Sequence, residues 1–325
     1  MAAPKVSIVM PAYKSADFIG LAIASVRAQT LQDWELIIVD DCSPDDTAAA
    51  AMKAAGGDPR IKLVRAEQNG GVARARNLGN SHATGEWIAV LDSDDAFEPA
   101  RLETLVAAGE KAGLDLVADD MLLVPFEDLF GGGAAYLGHG AETLSGLDLA
   151  AWLDGNRAGI RTPVLGYLKP MVRRAFLLRQ NVAYLPELRV AEDCWFVADL
   201  LASGARFGLH PAPLYRYAIR PASLSRTRGD NVYKLQRSVY APFLTRHDGR
   251  LSESALRALR RHEAALKTAE AFEGFAIAMR ARDFPRALGW LAARPQAALQ
   301  LTQPIGARLE RLAKRLGYRP RLRVG

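Results

Sequence analysis

Cysteine is almost absent from this chain of 325 residues. Cys42 and Cys194 are the only two, which excludes a disulfide framework and a cysteine zinc site and fits a reducing cytoplasm. No apolar run approaches the ~20 residues that a membrane-spanning helix requires. Met1-Ala2-Ala3-Pro4-Lys5 passes straight into a strand pattern, without the shape of a signal peptide. His82, His139, His210, His247 and His262 are scattered without metal-ligand spacing and read as surface or core residues. There is no internal repeat or low-complexity tract. Also missing is the G-x-G-x-x-G turn of a dinucleotide-binding domain, because the first strand leads into Pro11-Ala12-Tyr13-Lys14-Ser15.

Half of the residues are hydrophobic, enough for the core of one large or two modest domains. Lys5 to Met10 alternates, is β-branched and reads as a first strand; Ile19, Ala22, Ile23 and Val26 then fall at helical spacing. Trp34 to Val39 is a second strand ending in Asp40-Asp41, and Pro44-Asp45-Asp46-Thr47 opens a helix. Ile61 to Val64 is a third strand, Asn69-Gly70-Gly71 a turn, Val72 to Ala83 a helix and Trp87 to Leu91 a fourth strand. This β-α-β-α-β-α-β order predicts a doubly wound, mostly parallel sheet whose strand-end loops converge on one edge.

Further on, Ala100 to Ala112 reads as helix, Leu114 to Ala118 as strand, Leu147 to Leu153 as a short helix and Arg173 to Gln180 as helix. Phe130-Gly131-Gly132-Gly133 marks a loose segment, and Arg161 to Met171 is irregular and extended. Glu192-Asp193 opens a helix running to about Ser203. Ser252 to Asp283 and Phe284 to Leu301 read as amphipathic helices.

The fourth strand delivers Asp92-Ser93-Asp94-Asp95 to its C-terminal end, where ligands bind in open α/β sheets. Asp92 and Asp94, as D-x-D in a tight turn, suit a hard divalent ion with oxygen ligands. Taken alone the turn reads equally well as acids leading into the helix after Pro99, and Glu192-Asp193 as acids answering a helix dipole.

The motifs V-S-I-V-M-P-A-Y from Val6, I-I-V-D-D-C-S from Ile37, N-G-G-V-A-R-A-R-N-L-G from Asn69, L-D-S-D-D from Leu91 and E-D-C-W-F from Glu192 occur in an order that resembles family 2 glycosyltransferases. The resemblance covers roughly residues 5 to 226. It implies a GT-A fold, metal dependence and transfer of a sugar from a nucleotide donor with inversion at the anomeric carbon. On that basis Asp193 is the general base and Glu192 orients it. Pro11, Tyr13, Asp41, Arg76 and Asp92 serve the nucleotide, Asp41 most naturally accepting from uracil N3–H. Asp94 holds Mn²⁺ or Mg²⁺, and Arg220, Ser223, Ser225 and Arg226 form a loop over the diphosphate. Arg74 is read as solvated, Asp95 as only a helix-leading acid, and both cysteines as packing residues close to the cleft.

The domain expectation is a catalytic domain over residues 1–228, divided at 112 and 113 into nucleotide-binding and acceptor halves, with a helical, basic extension over 229–325. The formal net charge of +6 is concentrated at its end, where Arg308, Arg311, Lys314, Arg315, Arg319, Arg321 and Arg323 face Glu310 alone. Such a tail suits peripheral contact with anionic membrane at the cytoplasmic face; it lacks the interleaved aromatics of a nucleic-acid site. No Q-x-x-R-W motif accompanies the others, so the expected act is one sugar per encounter, onto a glycan or lipid-linked glycan in exopolysaccharide or cell-surface polysaccharide synthesis. A nucleotidyltransferase would share the sheet and the metal acids but needs a glycine-rich phosphate loop after the first strand. The non-enzyme alternative is a non-catalytic sugar-nucleotide-binding or scaffold protein with a decayed site, and the intact Asp41, Asp92, Asp94 and Asp193 speak against decay.

Overall fold

The computed structural model describes residues 3–138, 146–159, 163–220 and 232–301. Its first half follows the sequence pattern closely. Strand β1 (Val6–Ala12), helix α1 (Ile19–Arg27), β2 (Trp34–Asp40), α2 (Thr47–Ala55), β3 (Ile61–Arg65), α3 (Val72–His82) and β4 (Trp87–Val90) alternate along the chain. β3, β2, β1 and β4 lie side by side in that order, every pair parallel. β1, β2 and β4 are buried along their whole length, as strands covered by helices on both faces must be.

A short strand β5 (Ala96–Phe97), helix α4 (Arg101–Lys111), the long strand β6 (Leu116–Pro125) and a short β7 (Ala134–Ala135) follow. After α5 (Leu149–Asp154) come β8 (Met171–Arg173), α6 (Arg174–Gln180), α7 (Glu192–Ala202) and β9 (Phe207–Ile219). Here the sheet is mixed. β8 is antiparallel to both β4 and β6, β9 runs parallel to β6, and β5 and β7 add antiparallel edges. β8 escapes the sequence reading because three residues cannot display a period. β9 holds Pro211 and Pro213 at the point where its register against β6 slips between Asp119 and Asp120, a bulge that accommodates residues without a ladder N–H.

Two packing features matter for what the sheet carries. Gly79 of α3 sits so close to β1 and β2 that an added Cβ would lie 2.3 Å from Val9 Cγ1, so only glycine lets that helix settle onto the strands. On the other side, Arg101 and Asp119 form a fully buried two-pronged ion pair, Nε–Oδ2 2.9 Å and Nη2–Oδ1 2.8 Å, and the same Nη2 donates to the Lys169 carbonyl at 2.7 Å. This pair fixes the chain entering β8.

The C-terminal helices α8 (Val232–Ser238), α9 (Tyr240–Arg246) and α10 (Glu253–Arg280) share the main hydrophobic core through Tyr233, Tyr240, Phe243, Leu259 and Leu266, and α11 (Phe284–Ala293) packs on α10, its Trp290 against Gly274. The expected second helix to Leu301 stops at Ala293, and Pro295–Leu301 turns as 3₁₀, since proline cannot continue an α-helix. α7 is apolar on nearly all sides and is therefore buried; its Trp195 packs edge-on against Tyr240, Phe243 and His262 at 5.0, 5.5 and 5.9 Å. No helix among the described residues is long and apolar enough to cross a membrane. The basic run from Arg308 lies outside the described residues.

His262 sits 2% exposed within this contact, paired with the Tyr240 hydroxyl, and burial pulls its pKa down to about 4. An unfolded histidine titrates near 6.5, so this site's contribution to stability is complete above about pH 6.5 and is lost as pH falls toward about 4, up to roughly 3 kcal/mol. Urea unfolding midpoints measured from pH 7 to pH 4 should fall more steeply for the wild type than for His262→Gln. Parallel curves would remove His262 from the acid response.

Candidate active site

Four loops meet at the C-terminal ends of β1 to β4. The Asp41 N–H donates to Ala12 O at 2.9 Å, the Ser15 hydroxyl pairs with that of Ser93 at 2.8 Å, and the Ser15 N–H donates to Thr47 Oγ1 at 2.8 Å. Lys14, Cys42 and Ala191 take positive φ values of 52°, 57° and 65°. Backbone of this kind is uncommon outside glycine. These positions adjoin Tyr13, Asp41 and Glu192, and the unusual turns set the direction of those neighbours.

Of the expected nucleotide residues, Pro11 is buried within β1, whereas Tyr13 is 44% exposed with the Lys14 ammonium 5.4 Å from its ring centre. Asp41 accepts the N–H groups of Gly70 and Gly71, both at 2.8 Å, one on each oxygen. It therefore holds the turn before α3, and each oxygen keeps a second acceptor direction. Asp40 is committed to Ser43 N–H at 3.0 Å and Arg65 Nε at 3.1 Å.

Arg76, Asp92 and Asp193 come together, though they are far apart in sequence. Arg76 Nη2 is 2.8 Å from Asp92 Oδ1, and its Nη1 is 2.6 Å from Asp193 Oδ1 and 2.8 Å from Glu192 Oε1. Lys169 closes the figure from the opposite side, with Nζ 2.7 Å from Asp193 Oδ2 and 3.0 Å from Asp92 Oδ2. Two carboxylates and two cations thus form a ring in which each acid touches both cations.

The electrostatics follow from burial. Burial alone would raise the Asp92 pKa, but the charges of Lys169 and Arg76 outweigh it and hold this carboxyl well below the usual range. Burial likewise opposes the Lys169 charge, yet Asp193 and Asp92 keep it firmly protonated. Glu192 is pushed up by burial and by Asp193 beside it. Asn77 exchanges two hydrogen bonds with the Tyr184 backbone at 2.8 and 2.9 Å. The Tyr184 ring stacks on Phe196 at 4.0 Å and lies 5.3 Å from the Arg76 guanidinium, walling the ring of charges.

Asp94 stands apart from that ring. Burial and Asp92 raise its pKa, and the compensation comes from Arg220, Nη1–Oδ2 3.2 Å. Arg220 is itself held over Phe18 and Phe126, 4.3 and 4.6 Å from their ring centres. Ser223, Ser225 and Arg226 lie outside the described residues. Asp95 is not the helix-leading acid expected from the sequence. It is 2% exposed and accepts from the Tyr215 hydroxyl at 2.7 Å and the Ala218 N–H at 2.8 Å, so it ties the acidic turn to β9. Arg74 is exposed, as expected. Cys194 is buried, with a thiol pushed up to about 12 by burial, which makes it a packing residue.

Among the described residues no three His, Cys, Asp or Glu side chains converge as a complete metal cage. Asp94 can offer one carboxylate to a hard cation, the usual share of protein ligands when substrate phosphates complete the shell. Sequence reading missed Lys169, Tyr184 and Tyr215. The available signal for Lys169 was a lone cation between Leu168 and Pro170-Met171 in an apolar stretch.

Residues 7–131 match the family described as Glycosyl transferase family 2. Over 317 residues, 96% of this chain and 88% of the relative, the sequence is 36% identical to the succinoglycan biosynthesis protein ExoO of Rhizobium meliloti. It is 34% identical to ExoU of the same organism, also a succinoglycan biosynthesis protein, over 90% and 84% of the two chains. The crystal structure of S. aureus TarS 1-349 in complex with UDP-GlcNAc superposes with a TM-score of 0.67 at 22% identity, covering 90% of this chain and 81% of that one. At that identity the likeness is one of fold.

Arg76→Met would leave Asp92, Glu192 and Asp193 with Lys169 as their remaining buried cation. The expected cost is about 3–5 kcal/mol in urea unfolding. Arg76→Lys should recover only part of it, because an ammonium cannot reproduce the guanidinium fork. Equal stability of all three proteins would show that the ring carries no structural load.

Proposed function

Because this chain belongs to glycosyltransferase family 2 and has its GT-A fold, we propose that it moves one sugar at a time, with inversion, from a UDP-linked donor to a glycan or lipid-linked glycan acceptor. The observation that carries this reading is Asp193, a carboxylate held by two cations beside the acidic turn where nucleotides bind in such sheets. In the transfer, Asp193 takes the acceptor hydroxyl's proton as that oxygen attacks the anomeric carbon from the face opposite the leaving group. Tyr13 offers its exposed ring to the base, and Asp41 an acceptor to uracil N3–H. Asp92 serves the ribose side, and Arg220 leads the segment over the diphosphate.

Asp94 would hold Mn²⁺ or Mg²⁺. Its carboxylate suits a hard cation, and Lys169 and Arg76 are already matched by acids, so an arriving diphosphate needs further positive charge. Such an ion would stabilise the negative charge that develops on the departing nucleoside diphosphate. Relatives named for succinoglycan biosynthesis, similar over nearly their whole length, support a role in exopolysaccharide assembly. The crystal structure of TarS with UDP-GlcNAc supports a uridine donor. The seven cations between Arg308 and Arg323 support peripheral contact with anionic lipid, which would bring the enzyme to a lipid-linked acceptor.

Asp193→Asn should lower transfer by ~10²-fold or more while the protein still binds UDP. Asp94→Asn should abolish the gain in UDP affinity that Mn²⁺ gives the wild type in calorimetry. Near-normal turnover by the first variant would remove Asp193 from the mechanism, and an undiminished Mn²⁺ effect in the second would move the metal elsewhere.

A further inference from the structure

The C-terminal helices carry a surface that the transfer chemistry does not use. α10 closes on Ile277, Ala278, Met279 and Arg280, three residues turn the chain, and α11 begins at Phe284. The turn is fixed by its own backbone: the N–H groups of Ala281, Arg282 and Asp283 donate to the carbonyls of Ile277, Met279 and Ala278 at 3.0, 3.1 and 2.9 Å. The Asp283 carboxylate caps α11 by accepting from the Arg286 N–H at 3.1 Å.

One side of α11 is turned inward. Ala287 is buried, and Trp290 lies so close to α10 that a Cβ on Gly274 would fall 2.4 Å from its Cε2. The other side is uncovered. Phe284 and Leu288, one helical turn apart, are 56% and 66% exposed, and Ile277 and Met279 in the last turn of α10 are exposed as well. Single exposed apolar residues need no explanation, but four large ones at one end of a helix pair do. The charges around them have one sign. Between residues 274 and 301 the cations are Arg280, Arg282, Arg286 and Arg294, against Asp283 alone, which is spent on the cap. Arg280, Arg282 and Arg286 are exposed and pair with no acid among the described residues.

This pattern selects among occupants. A second copy of the chain would bring the same unpaired arginines to a self-complementary contact. The segment beyond residue 301 carries seven cations against Glu310, so it too would meet the tip with like charge. An anionic bilayer answers both features at once, with phosphate for the guanidinium groups and hydrocarbon for the apolar side chains.

We propose that the tip formed by the end of α10 and the start of α11 is a membrane-docking surface: Phe284 and Leu288 enter the boundary between headgroups and acyl chains of an anionic leaflet, while Arg280, Arg282 and Arg286 meet lipid phosphates. The proposal deepens the lipid contact read from the basic tail and does not depend on the transfer reaction. Attraction by a row of cations is screened by salt, whereas buried apolar side chains add a contribution that salt leaves in place. A folded tip also turns one fixed face of the protein toward the lipid.

Full-length protein should sediment with vesicles of equal parts phosphatidylglycerol and phosphatidylcholine, and stay in solution with phosphatidylcholine alone. Phe284→Ser with Leu288→Ser should weaken that partition by about tenfold or more, and Arg282→Gln with Arg286→Gln by a similar factor. All four side chains are exposed, so urea midpoints should stay close to wild type. Leu288→Trp should keep the binding, and brominated acyl chains should quench the emission it adds. Wild-type binding that the serine pair leaves unchanged would confine the lipid contact to the tail and overturn the proposal. Wild-type protein indifferent to the anionic vesicles would defeat the lipid reading altogether. Shielding of the new tryptophan from acrylamide without vesicles would also overturn it, in favour of the tail as occupant, or of a second copy where sedimentation velocity shows a dimer that the serine pair dissociates.

Discussion

The closed ring of Asp92, Arg76, Asp193 and Lys169 is the constraint on which the site depends. Removing four charges from water is costly, and the mutual attraction of a buried pair repays that cost only when geometry is good and each charge is multiply satisfied. Here every carboxylate oxygen of the two acids meets a cation at 2.6–3.0 Å. Loss of any one member strands the others. Asp92 is thereby kept charged in surroundings whose burial alone would favour protonation.

Each corner of the ring is delivered by a different part of the fold. Gly79 lets α3 approach the sheet so that Arg76, nearly one turn earlier, overhangs the strand ends. Arg101 and Asp119 pin the carbonyl of Lys169. α7 presents Glu192 and Asp193 from its first turn while its Trp195 is gripped by Tyr240, Phe243 and His262 of the C-terminal helices. The extension thus braces the helix that carries Asp193. A boundary near residue 228 divides the chain by motif content; the core itself continues across it through Tyr240, Phe243 and Leu259.

Much of this was legible in the sequence, for physical reasons that differ by element. β1 to β4 announce themselves because buried parallel strands must be apolar throughout, and the loops after β1, β2 and β4, with the turn before α3, carry the family motifs. The separate roles of Arg74 and Arg76 were legible too, since only one of two arginines spaced i, i+2 can face inward on a helix. Asp95 was misread because its partners, Tyr215 and Ala218, are 120 and 123 residues away. Lys169 was missed for the same reason. A lone lysine in an apolar stretch hints at burial, but nothing local identifies the two remote acids that match it.

The acids at the end of β4 are divided by the company they keep. Asp92 has Lys169 and Arg76 and is held ionised, whereas Asp94 has Arg220 and is pushed toward its protonated form by burial and by Asp92. An additional cation at Asp94 would relieve that strain, and it would do so where a nucleoside diphosphate brings more negative charge. Arg220 is poised differently from the ring cations, since the faces of Phe18 and Phe126 support its guanidinium independently of the carboxylate. Its place therefore does not depend on Asp94 alone, as the proposed contact with a phosphate would require. The turn thus separates two settings that its sequence leaves merged: Asp92 shares both of its cations with Asp193, the proposed base, whereas Asp94 pairs with Arg220 on the side proposed for the leaving group.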